Sequence, residues 1–179
     1  MNAEMYRWLD ELAHYENFVN CTALTEKALE ERYDQELVLR FITLHHEEIP
    51  NLSDIGDLGE YLTNKMVDKF SSPNFDIAEE GQAFKATFDI LAQTTKENSF
   101  RRFDEKRNKF IGGFLITPFE VIALGIGFGY RDSLELTQYE PLVKKFWIEG
   151  LPTLRAGSGI RASTRIPDTI PYGRKLFSK

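Results

Sequence analysis

Apolar side chains recur at three- and four-residue intervals along most of the first 150 residues, and this spacing restricts the fold more than any other feature. Such spacing places the apolar groups on one face of a helix, where they can pack against other helices. It predicts helices at about 4–14, 25–46, 57–70 and 76–97, followed by two that begin at Pro118 and Thr137. We therefore expect an all-α fold, a bundle of about six helices.

Two capping boxes mark the starts of the last two predicted helices. The first, Thr117-Pro118-Phe119-Glu120, opens a stretch that is nearly all apolar, so this helix is expected at the centre of the molecule. The second spans Thr137 to Glu140. The residues expected to be least exposed are Phe119, Ile122, Leu124 and Trp147.

The segment from Gly150 to Lys179 shows no helical spacing. Its glycines and prolines argue against regular structure, but Ile160, Ile166 and Ile170 make it too apolar for a free tail. We expect an extended, Gly/Pro-rich strap across the helices. The chain then forms one domain, with a helical bundle at 1–149 and a basic irregular segment at 150–179 packed on it.

The charge is distributed unevenly along the chain. Residues 151–179 carry six basic groups and one acidic group, whereas residues 1–60 carry four basic and fourteen acidic groups. The whole chain has a net charge of −6. The N-terminal part should repel nucleic acid, and the basic segment either attracts phosphates or docks onto the acidic bundle.

Composition excludes several classes of protein. A hydrophobic content of 42% excludes a mainly disordered chain. No apolar run approaches the length of a membrane span, and the start lacks the apolar core of a signal peptide, so no membrane partner is expected. The single cysteine, Cys21, excludes an internal disulfide and fits a reducing cytoplasm, which is the expected location.

No motif predicts catalysis, a metal site or a cofactor. The side chains of His45-His46-Glu47-Glu48 diverge by about 100° per residue on a helix, so they favour a solvated helix end over a metal site. Gly125-Ile-Gly-Phe-Gly129 follows a helix rather than a strand, unlike a dinucleotide-binding loop. Cys21 has no basic activator nearby in the sequence. A non-enzymatic role is favoured for this chain alone.

Five arginines are candidate contacts for phosphate or nucleic acid. Arg101 and Arg102 stand between two phenylalanines, and guanidinium groups both bind phosphate and stack on rings. Arg155, Arg161 and Arg165 lie among glycines, serines and a threonine, which allow close approach to a phosphate. The alternative is that these arginines pair with carboxylates and fix a docked strap.

Four strings, taken together, resemble a known family. They are Asp34–Phe41, Phe100–Asp104, Phe114–Leu124 and Arg161–Arg174. They resemble the C-terminal helical half of the GmrSD-type domain, a ParB-like or sulfiredoxin-like domain of unknown function in bacterial anti-phage and modification-dependent restriction proteins. The resemblance extends from about Asn2 to Phe177.

The departures from this family bear on function. The Asp-Gly-Gln-Gln-Arg motif that the family links to nucleotide hydrolysis is missing, and so is a His-Asn-His-type nuclease domain. We therefore expect a fragment, a split-gene half or a degenerate stand-alone copy, without transferable catalytic residues. Arg101, Arg102, Arg161 and Arg165 match family-like positions.

Two functions follow from the resemblance. The first is a non-catalytic helical module of a phage-defence or restriction-type nucleic-acid system, which completes a ParB-like partner domain or chain and contributes arginines to a phosphate site. The second is a stand-alone interaction or regulatory protein without nucleic-acid contact. Nucleic acid and nucleotide phosphate are both candidate ligands of the basic segment, and a homo-oligomer is compatible with the sequence.

Overall fold

The computed structural model describes residues 3–157 and 159–179, and it is 70% helical. The helices are α1 (Ala3–Ala13), α2 (Glu16–Thr22), α3 (Glu26–Glu30), α4 (Tyr33–Leu44), α5 (Ile49–Leu52), α6 (Leu58–Ser71), α7 (Ile77–Gln93), α8 (Ile116–Pro118), α9 (Leu124–Phe128), α10 (Leu136–Lys145) and α11 (Ala162–Phe177). Two strands, β1 (Arg102–Asp104) and β2 (Lys109–Ile111), form a hairpin. The all-α character is confirmed, apart from this hairpin.

The spacing of apolar residues located the N-terminal helices well. Helices α1 and α6 lie where they were predicted, and α7 begins after Asp76, whose side chain accepts hydrogen bonds from the first turn. The helix predicted at 25–46 is interrupted, because Arg32 adopts a left-handed backbone with φ of 59°. That residue separates α3 from α4.

The basic stretch after α7 folds into the hairpin of β1 and β2, which the sequence did not predict. The strands are antiparallel, and Phe103 lies opposite Phe110 with ring centroids 5.1 Å apart. The turn is closed by the Asp104 carboxylate, which accepts from the Arg107 N–H, and by Asn108 at φ of 46°. Strands of three residues are too short to show an alternating pattern.

A continuous helical stretch from α8 to α9 forms the centre of the molecule, with a π-helical turn at Phe119–Ala123 between them. Phe119, Ile122 and Leu124 are fully buried, as predicted. The prediction for Trp147 was wrong. Trp147 is half-buried, because the neighbouring Phe146 takes the core position instead.

Helices α8 and α10 begin earlier than the capping boxes indicated. Helix α8 begins at Ile116, and the Thr117 hydroxyl donates to the carbonyl of Ala156 rather than capping a helix. Helix α10 begins at Leu136, and its capping box is formed by Glu135 and Gln138. Each start therefore lies within two residues of the predicted one.

The prediction of an irregular C-terminal strap was wrong for residues 162–177. They form α11, a helix of 16 residues that contains Pro167 and Pro171. Each proline disfavours a helix interior by about 3 kcal/mol, so tertiary contacts must offset this cost. Helix α11 packs along α9 and the central π-helical turn. Residues 154–157 and 159–161 form neither helix nor strand.

Glycine makes this packing close enough to bring backbones into contact. A Cβ atom on Gly173 would collide with the carbonyl oxygen of Val121, and a Cβ on Gly125 would lie 2.5 Å from the carbonyl oxygen of Gly173. Any larger residue at either position would separate α11 from the central helix. Gly125 and Gly173, which disfavour a helix by local propensity, therefore allow α11 and the central helix to pack in direct contact.

Candidate functional site

Glu120 lies at the centre of the molecule, and its carboxylate is completely buried. Two helices supply donors to it. The Arg165 Nε and Nη2 atoms of α11 donate to separate carboxylate oxygens at 2.8 Å each, and the Thr169 hydroxyl donates at 3.2 Å. From α4, Arg40 Nη1 donates at 3.2 Å. These bonds supply the partners that a buried carboxylate needs to offset its desolvation.

The ion pairs continue outward from Glu120 on both sides. Arg40 also donates to Glu36 on its own helix, through Nε at 3.0 Å and Nη2 at 2.6 Å. Arg165 Nη1 donates to the carbonyl of Ile160 at 2.9 Å. The hydrogen bonds to Glu120 raise the pKa of the Arg165 guanidinium, so it stays charged. Two carboxylates and two guanidiniums form a neutral chain from the exposed Glu36 to the buried Glu120.

Two of the five candidate arginines are held by carboxylates. Arg165 is 8% exposed and bound to Glu120. Arg155 donates to both carboxylate oxygens of Asp168, at 2.8 and 2.9 Å, and this contact holds the pKa of Asp168 below its usual value. Arg165 joins α11 to the central helical stretch, and Arg155 joins the chain that follows α10 to α11.

The other three candidates form no ion pair within the described parts of the chain. Arg102 is fully exposed on β1, Arg101 is half-buried just before it, and Arg161 is exposed at the start of α11. They remain available to a ligand, whereas Arg155 and Arg165 are bound to protein groups.

A groove of about 1090 Å³ lies between the hairpin, α8 and the chain that follows α10. It brings Arg102 and Arg165 to one place, and Lys106 of the hairpin joins them, but Arg101, Arg155 and Arg161 do not line it. Apolar side chains also line the groove and form its apolar wall, namely Leu115, Trp147, Ile148, Leu151 and Leu154.

The hairpin carries an excess of positive charge. Residues 99–113 contain five basic and two acidic side chains. Arg107 lies 3.7 Å from Asp104, whereas Lys106 and Lys109 form no ion pair with any described residue. The groove itself is lined by two of these cations, Arg102 and Lys106, and by the two hairpin carboxylates, Asp104 and Glu105.

His45 lies in the core rather than at a solvated helix end, so that interpretation was wrong. Its Nδ1 lies 2.8 Å from the carbonyl of Phe41, and its Nε2 lies 3.5 Å from a carboxylate oxygen of Glu80. Neither Nε2 nor that oxygen has a hydrogen-bond partner among the described residues. Burial lowers the pKa of His45 well below its usual value and raises that of Glu80.

The Cys21 thiol is buried, and burial raises its pKa to about 12, so it is not a nucleophile at neutral pH. Among residues 3–157 and 159–179, no three His, Cys, Asp or Glu side chains are grouped so that they could hold a metal ion. Within the same residues, no helix combines the length and the apolar character needed to cross a bilayer.

Sequence reasoning found the arginines but missed Glu120 as their partner. A signal was present, because Glu120 is a lone charged residue in the apolar stretch from Phe119 to Ile126. When a titratable side chain is buried in such a stretch, it is either paired with a group of opposite charge or neutral. Its interpretation as part of a capping box concealed that signal.

No protein-family model matches this chain, and no curated protein or solved structure matches it either.

Proposed function

We propose that this chain is a non-catalytic helical module of a phage-defence or restriction-type nucleic-acid system, and that its hairpin groove contacts phosphate. The observation that carries the proposal is that Arg102 and Lys106 line the groove, beside Asp104 and Glu105, and form no ion pair with any residue that the structure describes. Exposed guanidinium and ammonium groups are the usual protein ligands of phosphate. The resemblance to the GmrSD-type helical half supports the same class.

The phosphate contacts are assigned to the hairpin and to Arg161 rather than to the whole basic segment. Arg155 and Arg165 already donate to Asp168 and Glu120. Releasing Arg165 for a ligand would leave the Glu120 carboxylate partly unpaired in the core, which costs several kcal/mol (about 3 to 5). These two arginines therefore position the groove without contacting the ligand.

The apolar wall of the groove supports a contact with a partner protein. Leu115 and Ile148 are 42% and 41% exposed, and both line the groove. Exposed apolar side chains grouped with aromatic ones are typical of protein interfaces. In the proposed system this partner is ParB-like and supplies the catalytic residues that this chain lacks.

The same wall favours a second candidate function, a stand-alone interaction protein without nucleic-acid contact. In that case Leu115 and Ile148 bind a partner, and the cations of the hairpin only keep the surface hydrated. The two functions differ in how binding of nucleic acid responds to salt.

A salt titration of nucleic-acid binding tests the proposal. Each phosphate contact adds about 0.9 to the magnitude of the log–log salt slope on B-DNA, so Arg102→Ala/Lys106→Ala should flatten the slope by nearly two units, about 1.8. The matched control, Arg7→Ala/Lys27→Ala, removes two charges from the N-terminal helices and should leave the slope unchanged. Equal slopes for wild type and the hairpin variant would support the interaction protein instead.

A further inference from the structure

We infer that the hairpin groove binds an extended peptide segment of a partner protein, which adds to the free edge of β1 as a third strand. This inference rests on the partner contact in the proposed function and names the kind of segment that makes it. The backbone of the segment pairs with β1, and its apolar side chains lie against the apolar wall. Recognition therefore depends on backbone geometry and apolar burial, with a smaller contribution from charge.

The groove lies at the edge of the hairpin and not over one of its faces. Three consecutive residues of β1, Arg102, Phe103 and Asp104, line it, although successive side chains of a strand point to opposite faces. Their partners across the hairpin, residues 109–111 of β2, do not line it. A groove over one face would be lined by alternate residues of both strands. The side of β1 that faces away from β2 is therefore open to the groove.

The backbone of β1 has hydrogen-bonding groups without a partner on that side. In an antiparallel pair, the N–H and C=O groups of alternate residues point away from the partner strand. In the part of the chain that the structure describes, the sheet has two strands, and no backbone hydrogen bond joins residues 102–104 to a segment other than β2. An extended peptide supplies the alternating donors and acceptors that such an edge binds.

The charges of the hairpin do not select a ligand of either sign. The hairpin residues that line the groove include two basic and two acidic ones, namely Arg102, Lys106, Asp104 and Glu105. Arg102 and Asp104 are two positions apart and therefore lie on the same face of β1. Because opposite charges across neighbouring strands stabilise their pairing, the matching segment carries one acidic and one basic residue, two positions apart.

The remainder of the lining suits the apolar side chains of such a segment. Leu115 and Ile148 are 42% and 41% exposed, so contact with a ligand removes apolar surface from water. The ring of Trp147 is held against the buried Phe146, with ring centroids 5.1 Å apart. Since β1 has only three residues and offers few hydrogen bonds, these apolar contacts must supply much of the affinity.

Two glycines leave space for the backbone of the segment. Gly157 and Gly159 line the groove, and a Cβ atom at either position would meet no atom within 4 Å. Glycine lets another backbone approach closely, because it has no side chain. The groove therefore has room for a strand beside β1.

N-methylated peptides test the backbone pairing directly. The probe is the acetylated and amidated heptapeptide Thr-Val-Lys-Leu-Glu-Val-Thr, which alternates polar and apolar residues and has no net charge. Only every second N–H of a strand points toward a given neighbour, so only every second methyl group can block pairing. Two further probes carry one methyl group, on the nitrogen of the central Leu or of the Glu that follows it. In NMR titrations, one should bind about tenfold more weakly than the parent and the other within about threefold.

A side chain placed inside the groove tests the location of the probe. Gly157→Leu extends into open space at a residue of the lining and should weaken probe binding at least fivefold, about the loss expected from a blocked contact. The matched control is Gly113→Leu, because a Cβ there also meets no atom within 4 Å and Gly113 lies outside the lining. Neither glycine has a positive φ, so both variants should fold, which circular dichroism verifies.

A second pair of variants tests the apolar wall without adding bulk. Ile148→Ser should weaken probe binding several-fold, because it removes apolar contact. Its control is Val67→Ser on α6, where the side chain is 44% exposed and does not line the groove. Hydrogen exchange of the amides at 102–105 should slow when the probe is bound to wild type, since strand pairing protects them.

The outcomes separate this inference from the proposed function. Absence of binding at about 2 mM probe, or equal binding of the two methylated probes, would overturn strand addition. A hairpin-dependent salt slope for nucleic acid would then leave the phosphate contact standing. Equal effects of Gly157→Leu and Gly113→Leu would place the peptide elsewhere and overturn the inference as well. A flat salt slope combined with the alternating effect of the methyl groups would overturn the phosphate contact and support strand addition.

A second copy of this chain is the competing occupant of the β1 edge. Sedimentation of the free protein measures its oligomeric state. A monomer that binds the probe supports a partner peptide. A dimer that the probe does not dissociate, and that Gly157→Leu disrupts, would assign the edge to the second copy and overturn the inference.

Discussion

The guanidinium of Arg165 holds the carboxylate of Glu120 through two hydrogen bonds of 2.8 Å, although the residues are 45 positions apart in the chain. The contact fastens α11 to the central helical stretch inside the core. An arginine that the sequence presents as a ligand contact is thus committed to holding the fold. Arg102 and Lys106 of the hairpin form no ion pair with a described residue, although Asp104 and Glu105 line the groove beside them.

Loss of the Arg165 side chain should destabilise the fold strongly. Arg165→Ala leaves the buried Glu120 carboxylate short of partners, and removing one member of such a pair costs about 3 to 5 kcal/mol. Arg155→Ala breaks the exposed pair with Asp168 and should cost less than about 1 kcal/mol. Urea unfolding of the two variants measures the difference, and similar small losses would show that Arg165 and Glu120 do not interact in solution.

Replacement of both members of the buried pair should recover stability. Arg165→Met with Glu120→Leu removes this buried pair, keeps most of the volume and leaves Arg40 bound to Glu36, so this variant should unfold at higher urea concentration than Arg165→Ala. A double variant no more stable than Arg165→Ala would mean that the unpaired Glu120 carboxylate does not account for the loss.

A methyl group at Gly173 should loosen α11. Its Cβ would meet the Val121 backbone, which cannot move aside without shifting the central helix, so Gly173→Ala should destabilise by about 1 to 3 kcal/mol. At Gly157 a Cβ would meet no atom within 4 Å, and Gly157→Ala serves as the control. Thermal unfolding should separate the two variants clearly. Equal midpoints would contradict the close contact of the helices.

The buried His45 should make the protein less stable in mild acid. Its pKa in the folded protein is well below the usual 6.5, mainly through burial and further through His46, Lys69 and Arg174. The unfolded chain therefore binds a proton first, and stability is lost as the pH falls below about 6.5. Glu80 acts in the opposite sense, because burial raises its pKa in the folded protein, which therefore takes up this proton before the unfolded chain does as the pH falls toward 4.5.

Unfolding free energies at pH 7.5 and 5.5 measure this effect. His45→Gln should reduce the loss of stability between these two conditions, whereas His14→Gln, at an exposed position, should preserve it. A loss of the same size in wild type and His45→Gln would assign the acid sensitivity to other groups.

Truncation of Leu124 should show how much the central helix contributes to the stability of the fold. Leu124 is fully buried, so Leu124→Ala should cost about 2 to 5 kcal/mol through lost burial and a residual cavity. Leu136→Ala removes the same atoms at an exposed position and should cost far less. A loss below about 1 kcal/mol for Leu124→Ala would be incompatible with this packing.

The helices with regular apolar spacing could be predicted from the sequence, and α11 could not. Helices α1 and α6 each present one apolar face, which is a local signal. Helix α11 contains Pro167, Pro171 and Gly173, which oppose a helix by local propensity. It forms because of contacts with residues 121–125, and such contacts cannot be read from neighbouring residues.

The candidate site was predictable in its charge but not in its shape. The basic residues at 101–109 stand out in the sequence, whereas the hairpin that arranges them depends on Phe103 packing on Phe110 across the turn. The roles of the arginines depend on whether a carboxylate lies nearby in space. For Arg165 that carboxylate is contributed by Glu120, in a different helix.

The close packing of Gly173 on Val121 also imposes an order on biosynthesis. About 50 residues of chain must still leave the ribosome after Val121 before its partner exists, a delay of about 3 to 10 s at ordinary rates of translation. Throughout that interval the apolar central helix is not yet covered by α11. Nascent chains of this protein should therefore be stronger clients of ribosome-associated chaperones than the stability of the finished fold suggests.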